Sequence, residues 1–163
     1  MSVQYITARN SNICDDDADI LVNTVNTVGI MGKGVALAFK QRWPSIMPNY
    51  VASCSCGRLR AGGCLLFALP APVSAMPLFD PPAKRRHWAA LATKANWRDP
   101  SRLEWIASGL RNLALLALDE GVRSIALPPP GCGNGGLDWA KVEPMVLHAL
   151  DGFDLRIYAP RST

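Results

Sequence analysis

At 163 residues the chain has the length of one ordinary domain, and with 49% apolar residues it can bury a full core. A formal net charge of +4 and a pI near 8.9 exclude the dense basic tail of a dedicated nucleic-acid tether, while suiting a phosphate-bearing partner. The first residues hold no apolar block of signal-peptide length, and no run approaches the ~18 uncharged apolar residues of a membrane span, so a single soluble, cytoplasmic, monomeric unit is expected.

In chain order, β-rich runs at residues 3–7 and 20–24 open the sequence. A helical pattern follows at 33–42, then strands at 63–69 and 87–93. Between those two strands, residues 70–82 (PAPVSAMPLFDPP) are too rich in proline to pair in a sheet and read as a surface loop. Helical spacing returns at 101–120, where Ser101 and Glu104 have the spacing of a capping box and Gly121 that of a C-terminal glycine. Strand 124–127, helix 139–150 and strand 155–158 complete the series. Trp88, inside a strand pattern, is assigned to the core. Alternation of strands and helices in so short a chain predicts an α/β sheet with helices on both faces, and ligands in such sheets sit beyond the carboxyl ends of the strands.

The five cysteines at 14, 54, 56, 64 and 132 lack paired spacing, so no disulfide framework is expected. Cys54, Cys56, Cys64 and His87 could be imagined around zinc, but Cys-x-Cys lacks the usual two-residue spacer; no metal is expected.

The most informative stretch is residues 128–139, PPPGCGNGGLDW, with four glycines in six positions between a strand and a helix. Backbone amides in such a loop, with the following helix start, can converge on an anion, and the missing side chains let phosphate oxygens approach. A P-loop would need a Lys-Ser/Thr pair, which is absent. The spacing Gly131, Gly133, Gly136 suits a dinucleotide fingerprint but lies at the wrong end of the chain. A second glycine-rich loop, residues 28–34 (VGIMGKG), lies between an earlier strand and helix, so two loops could clasp a diphosphate. Asn23 and Asn26 stand just before it, where their amides can bond ribose hydroxyls or hold the loop. Asp138 reads as the cap of the following helix.

Three segments together, LVNTVNTVGIMGKGVALAFKQRWP, ATKANWRDPSRLEWIASGL and PPPGCGNGGLDW, resemble the macrodomain family, and within it the DarG-like antitoxin branch that removes ADP-ribose from DNA modified by a DarT-type toxin. The likeness runs from about residue 11 to 160. It implies a three-layer α/β/α fold with a mixed central sheet, and ADP-ribose as the ligand with no cofactor. Position by position, it places Asn12 and Ile13 at the adenine, Asn26 with Asn23 near the distal ribose, and Thr27, Val28, Gly29, Gly32, Gly34 and Val35 in the first phosphate loop. Pro130, Gly131, Cys132, Gly133, Asn134, Gly135, Gly136 and Leu137 form the second.

Thr93 and Lys94 match the segment whose lysine is held to be catalytic in that branch; Asn96 stands where the branch carries histidine, and Ala90 where the strand commonly carries asparagine. Catalysis is therefore assigned to Lys94 with Asn23. As an ammonium the lysine can help the base depart; as a free amine it can attack C1″ and form a Schiff base. Basic residues interleaved with tryptophan (Arg86 with its neighbour Lys84, and Trp97 with Arg98) are expected to form the rim that meets single-stranded DNA. Expected partners are ADP-ribose, ADP-ribosylated single-stranded DNA and a DarT-like toxin. The alternatives are hydrolysis of ADP-ribosylated protein glutamate or O-acyl-ADP-ribose, and a non-catalytic ADP-ribose reader.

Overall fold

The structure is a computed structural model that describes residues 1–7, 11–71 and 85–159. Strands β1 (Val3–Tyr5), β2 (Ile20–Val25), β3 (Cys64–Ala68), β4 (His87–Ala92), β5 (Ser124–Leu127) and β6 (Asp154–Ile157) form one sheet in the order β1-β6-β5-β2-β4-β3. All pairings are parallel except β3 against β4, so the sheet is mixed, as expected. Helices α1 (Gly34–Arg42), α2 (Met47–Ser55), α3 (Leu103–Asp119) and α4 (Trp139–Ala149) cover it. Most of the loop expected at 70–82 lies outside the described residues, as does Lys84.

Side-chain alternation along the strands divides the interior into two cores. Ile20, Val22, Ala89, Leu91, Ile125 and Leu127 face α3 and α4, whose Ile106, Leu110, Leu113, Val142 and Val146 pack onto them. Leu21, Val25, Trp88, Ala90, Ala92 and Ala126 point the other way, toward Phe39 of α1 and Tyr50 of α2. The outcome is three layers, α/β/α. Trp88 is fully buried and stacks on Phe67 with ring centroids 4.8 Å apart, a contact worth about 1 kcal/mol beyond its area.

Helix α3 begins later than its sequence suggests. The capping box does not form: Arg102 occupies the N-cap, and Ser101 turns inward, its amide donating to the Gly135 carbonyl at 3.0 Å. A tertiary contact has displaced a local cap. At the other end the expected glycine is in place, with Gly121 at φ +63° and paired bonds from Val122 N to Ala117 O and Gly121 N to Leu118 O. Helix α2 was not anticipated. Apart from Met47 and Ala52 its residues, MPNYVASCS, are weak helix formers, and Pro48 is tolerated because it lies in the first turn. No described helix is long and apolar enough to cross a membrane.

Because β2, β4, β5 and β6 run parallel, the segments that leave them emerge on the same edge of the sheet. That edge holds the site.

Candidate functional site

A cavity of about 1060 Å³ opens at the carboxyl ends of β2, β4 and β5, large enough for a nucleotide-sized ligand. Three chain segments frame it: residues 26–35 after β2, residues 93–98 after β4, and residues 128–135 after β5. Ser11, Asn12, Ile13 and Tyr158 close one end.

The first loop is held from within by Asn26. Its Oδ1 accepts from the amides of Val28 (3.1 Å) and Ile30 (3.3 Å), and its Nδ2 donates to Ile30 O at 2.7 Å. From α2, Tyr50 Oη donates to Asn26 O at 2.8 Å, with Oδ1 3.1 Å away. Of the two roles open to this asparagine, holding the loop is the one its geometry fills. Thr27 carries the restraint toward β4, its amide and hydroxyl both donating to Ala95 O (3.1 and 2.9 Å). The loop then enters α1, whose first amides have no partner within the helix and whose first residues, Gly34, Val35 and Ala36, line the cavity.

The glycines of the second loop divide by task. A Cβ on Gly135 would lie 2.3 Å from both Gly131 O and Ser101 Oγ, and one on Gly131, at φ +73°, would lie 2.9 Å from Leu137 Cδ1. These two are glycine so that the loop can pack on itself and on Ser101. Gly133 has nothing within 4 Å of the position a Cβ would take, and it lines the cavity. The amides of Gly133, Asn134 and Gly135 enter no hydrogen bond among the described residues. Across the cavity, Asn134 Nδ2 lies 3.7 Å from the Cβ position of Gly34, so the two loops nearly meet. Asp138 caps α4 as expected, accepting from the Ala140 amide at 3.0 Å.

Lys94 lies between the loops and is only 9% exposed. Its Nζ donates to Asn134 O at 2.6 Å and reaches Trp97 O at 3.4 Å. Lys33 and Arg98 are the other cations on the wall, and no carboxylate lines it among the described residues. Positive charge with no acid suits an anionic ligand and leaves a lysine, rather than a carboxylate pair, to move protons.

Of the residues singled out in the sequence, Asn12, Ile13, Asn26, Gly32, Gly34 and Val35 line the cavity, as do Thr93, Lys94, Trp97, Arg98, Gly131, Gly133, Asn134 and Gly135. Asn12 Oδ1 accepts from the Cys14 amide at 3.0 Å, which spends one of its two lone pairs. Thr27, Val28, Gly29, Pro130, Cys132, Gly136 and Leu137 are not among the residues that line it. Burial pushes the Cys132 thiol up to about 11, helped by the nearby Asp138. Asn23 is fully buried behind the wall, its Nδ2 3.7 Å from Met31 Sδ and its Oδ1 without a partner among the described residues.

Arg86 is not brought to the cleft, which corrects its expected place on the rim. It precedes β4, so a six-residue strand, about 20 Å, separates it from Thr93, and its guanidinium is occupied by the carbonyls of Ala18 and Asp16. Tyr158 and Lys33 line the cavity and were not singled out. Tyr158 donates to Asp16 Oδ2 at 2.7 Å, and burial, then this bond, raise its phenol above the usual range. The signal for it in the sequence was its place at the end of the last strand, which is also where a sheet of this kind presents ligand contacts.

Comparison with known proteins bears on this geometry. A family model described as Macro domain matches residues 22–146. The chain is 40% identical over 152 residues to a Thermus aquaticus protein named DNA ADP-ribosyl glycohydrolase, covering 91% of this chain and 39% of that protein. A Mycobacterium tuberculosis protein of the same name is 38% identical over 158 residues, with 95% and 42% covered. The chain thus spans about two fifths of the length of the curated relatives it matches. Among solved structures, the macrodomain of Thermus aquaticus DarG superposes with a TM-score of 0.81 at 37% identity, covering 97% of this chain and 98% of that one. Thermosipho africanus DarTG in complex with ADP-ribose gives a TM-score of 0.82 at 28% identity, covering all of this chain and 43% of that one.

Proposed function

The chain belongs to the macrodomain family, and on that footing we propose that it binds ADP-ribose and hydrolyses the bond joining it to a modified DNA base, as a DNA ADP-ribosyl glycohydrolase. The observation that carries this reading is Lys94, a nearly buried lysine held between two glycine-rich loops in a cleft that has cations and no described carboxylate. The diphosphate would lie on the α1 amides and on those of residues 133–135, which sets the distal ribose beside Lys94.

In the reaction water adds to C1″, the bond from C1″ to the base nitrogen breaks, and the base takes up a proton. As an ammonium, Lys94 has three donors; the carbonyls of Asn134 and Trp97 engage two, and the third remains for the leaving base or a phosphate oxygen. Attack by the free amine on the opened ribose is the competing route, and trapping with borohydride distinguishes it, because only a Schiff base would leave a reduced adduct on Lys94. The fusion of a DNA ADP-ribosyl transferase to a glycohydrolase named for the Thermosipho africanus relative supports a DarT-like toxin as the natural counterpart.

The test is release of ADP-ribose from a single-stranded oligonucleotide modified on thymine or guanine, beside a glutamate-ADP-ribosylated protein, with wild type and Lys94→Ala. Lysine-dependent release from DNA is expected. Release from protein alone would move the activity to ester hydrolysis, and tight ADP-ribose binding with no release from either substrate would leave a reader.

A further inference from the structure

Two cation–π pairs follow one another in the chain, the first on the wall of the cleft. The Arg98 guanidinium lies 4.6 Å from the Trp97 ring centroid, and that of Arg102 lies 4.8 Å from Trp105. Trp97 is 43% exposed, Arg98 and Arg102 are exposed, and Trp105 is half-buried. The surface continues past Trp105. A Cβ on Gly62 would sit 3.3 Å from Trp105 Cα and Cδ1, so the turn that precedes β3 packs directly against this ring. That turn is tied to the cleft edge of the sheet by Gly62 N to Ala92 O (2.8 Å) and Ala92 N to Gly63 O (3.0 Å), and it presents Arg58 and Arg60, both exposed.

The charge of this strip is not neutralised by acids, although Arg60 Nε donates to the Gly57 carbonyl at 3.0 Å and leaves its terminal N–H groups for a ligand. None of Arg58, Arg60, Arg98 and Arg102 forms an ion pair among the described residues, whereas Arg42 and Arg156 elsewhere are paired with Asp15, Asp16 and Asp17. Asp99 and Glu104 are the acids of the same stretch, so cations outnumber them two to one. A guanidinium on an indole keeps its outer face and its edge N–H groups open, which offers stacking to a base and hydrogen bonds to a phosphate at one position. Alternating stacking platforms and cations is the arrangement that holds a flexible single strand without reading its sequence.

We infer that single-stranded DNA flanking the modified nucleotide leaves the cleft over Trp97 and Arg98, crosses Arg102 and Trp105, and ends on Arg60 and Arg58. This track rests on the reading of the cleft as a DNA ADP-ribosyl glycohydrolase site and extends it: it runs along the carboxyl edge of β4 to the turn before β3, away from Arg86.

The experiment measures anisotropy of a fluorescent oligothymidylate of about a dozen nucleotides, unmodified, across a salt series, with ADP-ribose affinity and glycohydrolase activity followed in parallel. The variants are Arg60→Glu with Arg102→Glu, and Trp105→Ala; the control is Arg111→Glu with Arg123→Glu, which changes net charge equally. Arg111 is about two and a half turns down α3 from Arg102, and Arg123 lies at the opposite end of the sheet before β5. The double track variant is expected to bind the strand at least about tenfold more weakly, with a salt slope shallower by roughly 1.4, while the control keeps wild-type affinity. All variants should retain the affinity for free ADP-ribose. Equal weakening in the control, or wild-type binding by the track variant, overturns the inference, as does a wild-type protein that does not bind the oligonucleotide. Strand binding that depends on the track without any release from modified DNA would instead keep the inference and overturn the glycohydrolase reading.

Discussion

Lys94 Nζ donates to the Asn134 carbonyl at 2.6 Å, joining the end of β4 to a glycine-rich loop 40 residues further along the chain. The nitrogen assigned to the chemistry is thus also a fastener of the second loop. Lys94→Ala should therefore do two things. Turnover falls to background, while ADP-ribose affinity stays within about tenfold, or 1.4 kcal/mol. The Asn134 carbonyl also loses its short bond, which costs about 1 kcal/mol and lowers Tm by roughly 2–4 °C. Hydrogen exchange at the amides of Ser101, Gly136 and Leu137, which donate to carbonyls of this loop, checks the second effect: faster exchange in the variant is expected, and unchanged exchange with lost turnover would confine Lys94 to chemistry alone.

The glycines of the second loop predict opposite outcomes for the same substitution. Gly135→Ala forces a Cβ to within 2.3 Å of a backbone carbonyl, so the loop must move off Ser101. Overpacking of this kind costs about 1–3 kcal/mol. Gly133→Ala meets nothing within 4 Å and should keep the wild-type Tm, yet it adds a methyl to a residue that lines the cavity. Thermal unfolding with and without ADP-ribose separates the two: Gly133→Ala should lose most of the ligand-induced rise in Tm and none of the basal stability.

Why some of this was legible in the sequence and some was not is a matter of how local each cause is. The six strands and helices α1, α3 and α4 follow from runs and periodicities that need no knowledge of distant residues, and the Asp138 cap is a contact between neighbours. Helix α2 was missed because its formation depends on Tyr50 reaching Asn26, 24 residues away, to anchor the first loop. Ser101 was misassigned for the same reason, since Gly135 competes for its backbone. Within the site, both glycine loops and Lys94 could be marked from sequence, but not which glycines serve packing and which serve openness. Arg86 shows the limit most plainly: being two residues from a tryptophan in sequence says nothing about which end of a strand a side chain occupies.

Asn23 offers a test of function against stability. Its Oδ1 is buried without a described partner, and the same-face neighbour across the β2–β4 pairing is Ala90, which cannot donate. An unmatched buried carbonyl costs about 1–3 kcal/mol. Asn23→Val, which suits a buried strand, should raise Tm by several degrees. If Asn23 contributes to catalysis by meeting ligand after Met31 moves aside, the more stable variant will turn over more slowly with unchanged oligomeric state. Full activity in a stabilised Asn23→Val would remove this residue from the catalytic assignment.

Alkaline stability follows from the buried thiols. Burial pushes Cys64 up to about 12 and Cys14 up to about 11, from 9.0 in an exposed thiol. Below pH 9 the folded and unfolded chains both keep these protons, and stability does not depend on them. Between pH 9 and about 12 the unfolded chain releases them while the folded chain does not, so the unfolded state gains and stability falls as pH rises through that window. Denaturant midpoints should be level near neutrality and decline above pH 9. In Cys64→Val, which keeps the site apolar and similar in size, the decline should be shallower; a decline as steep as that of wild type would place the alkaline sensitivity in other groups.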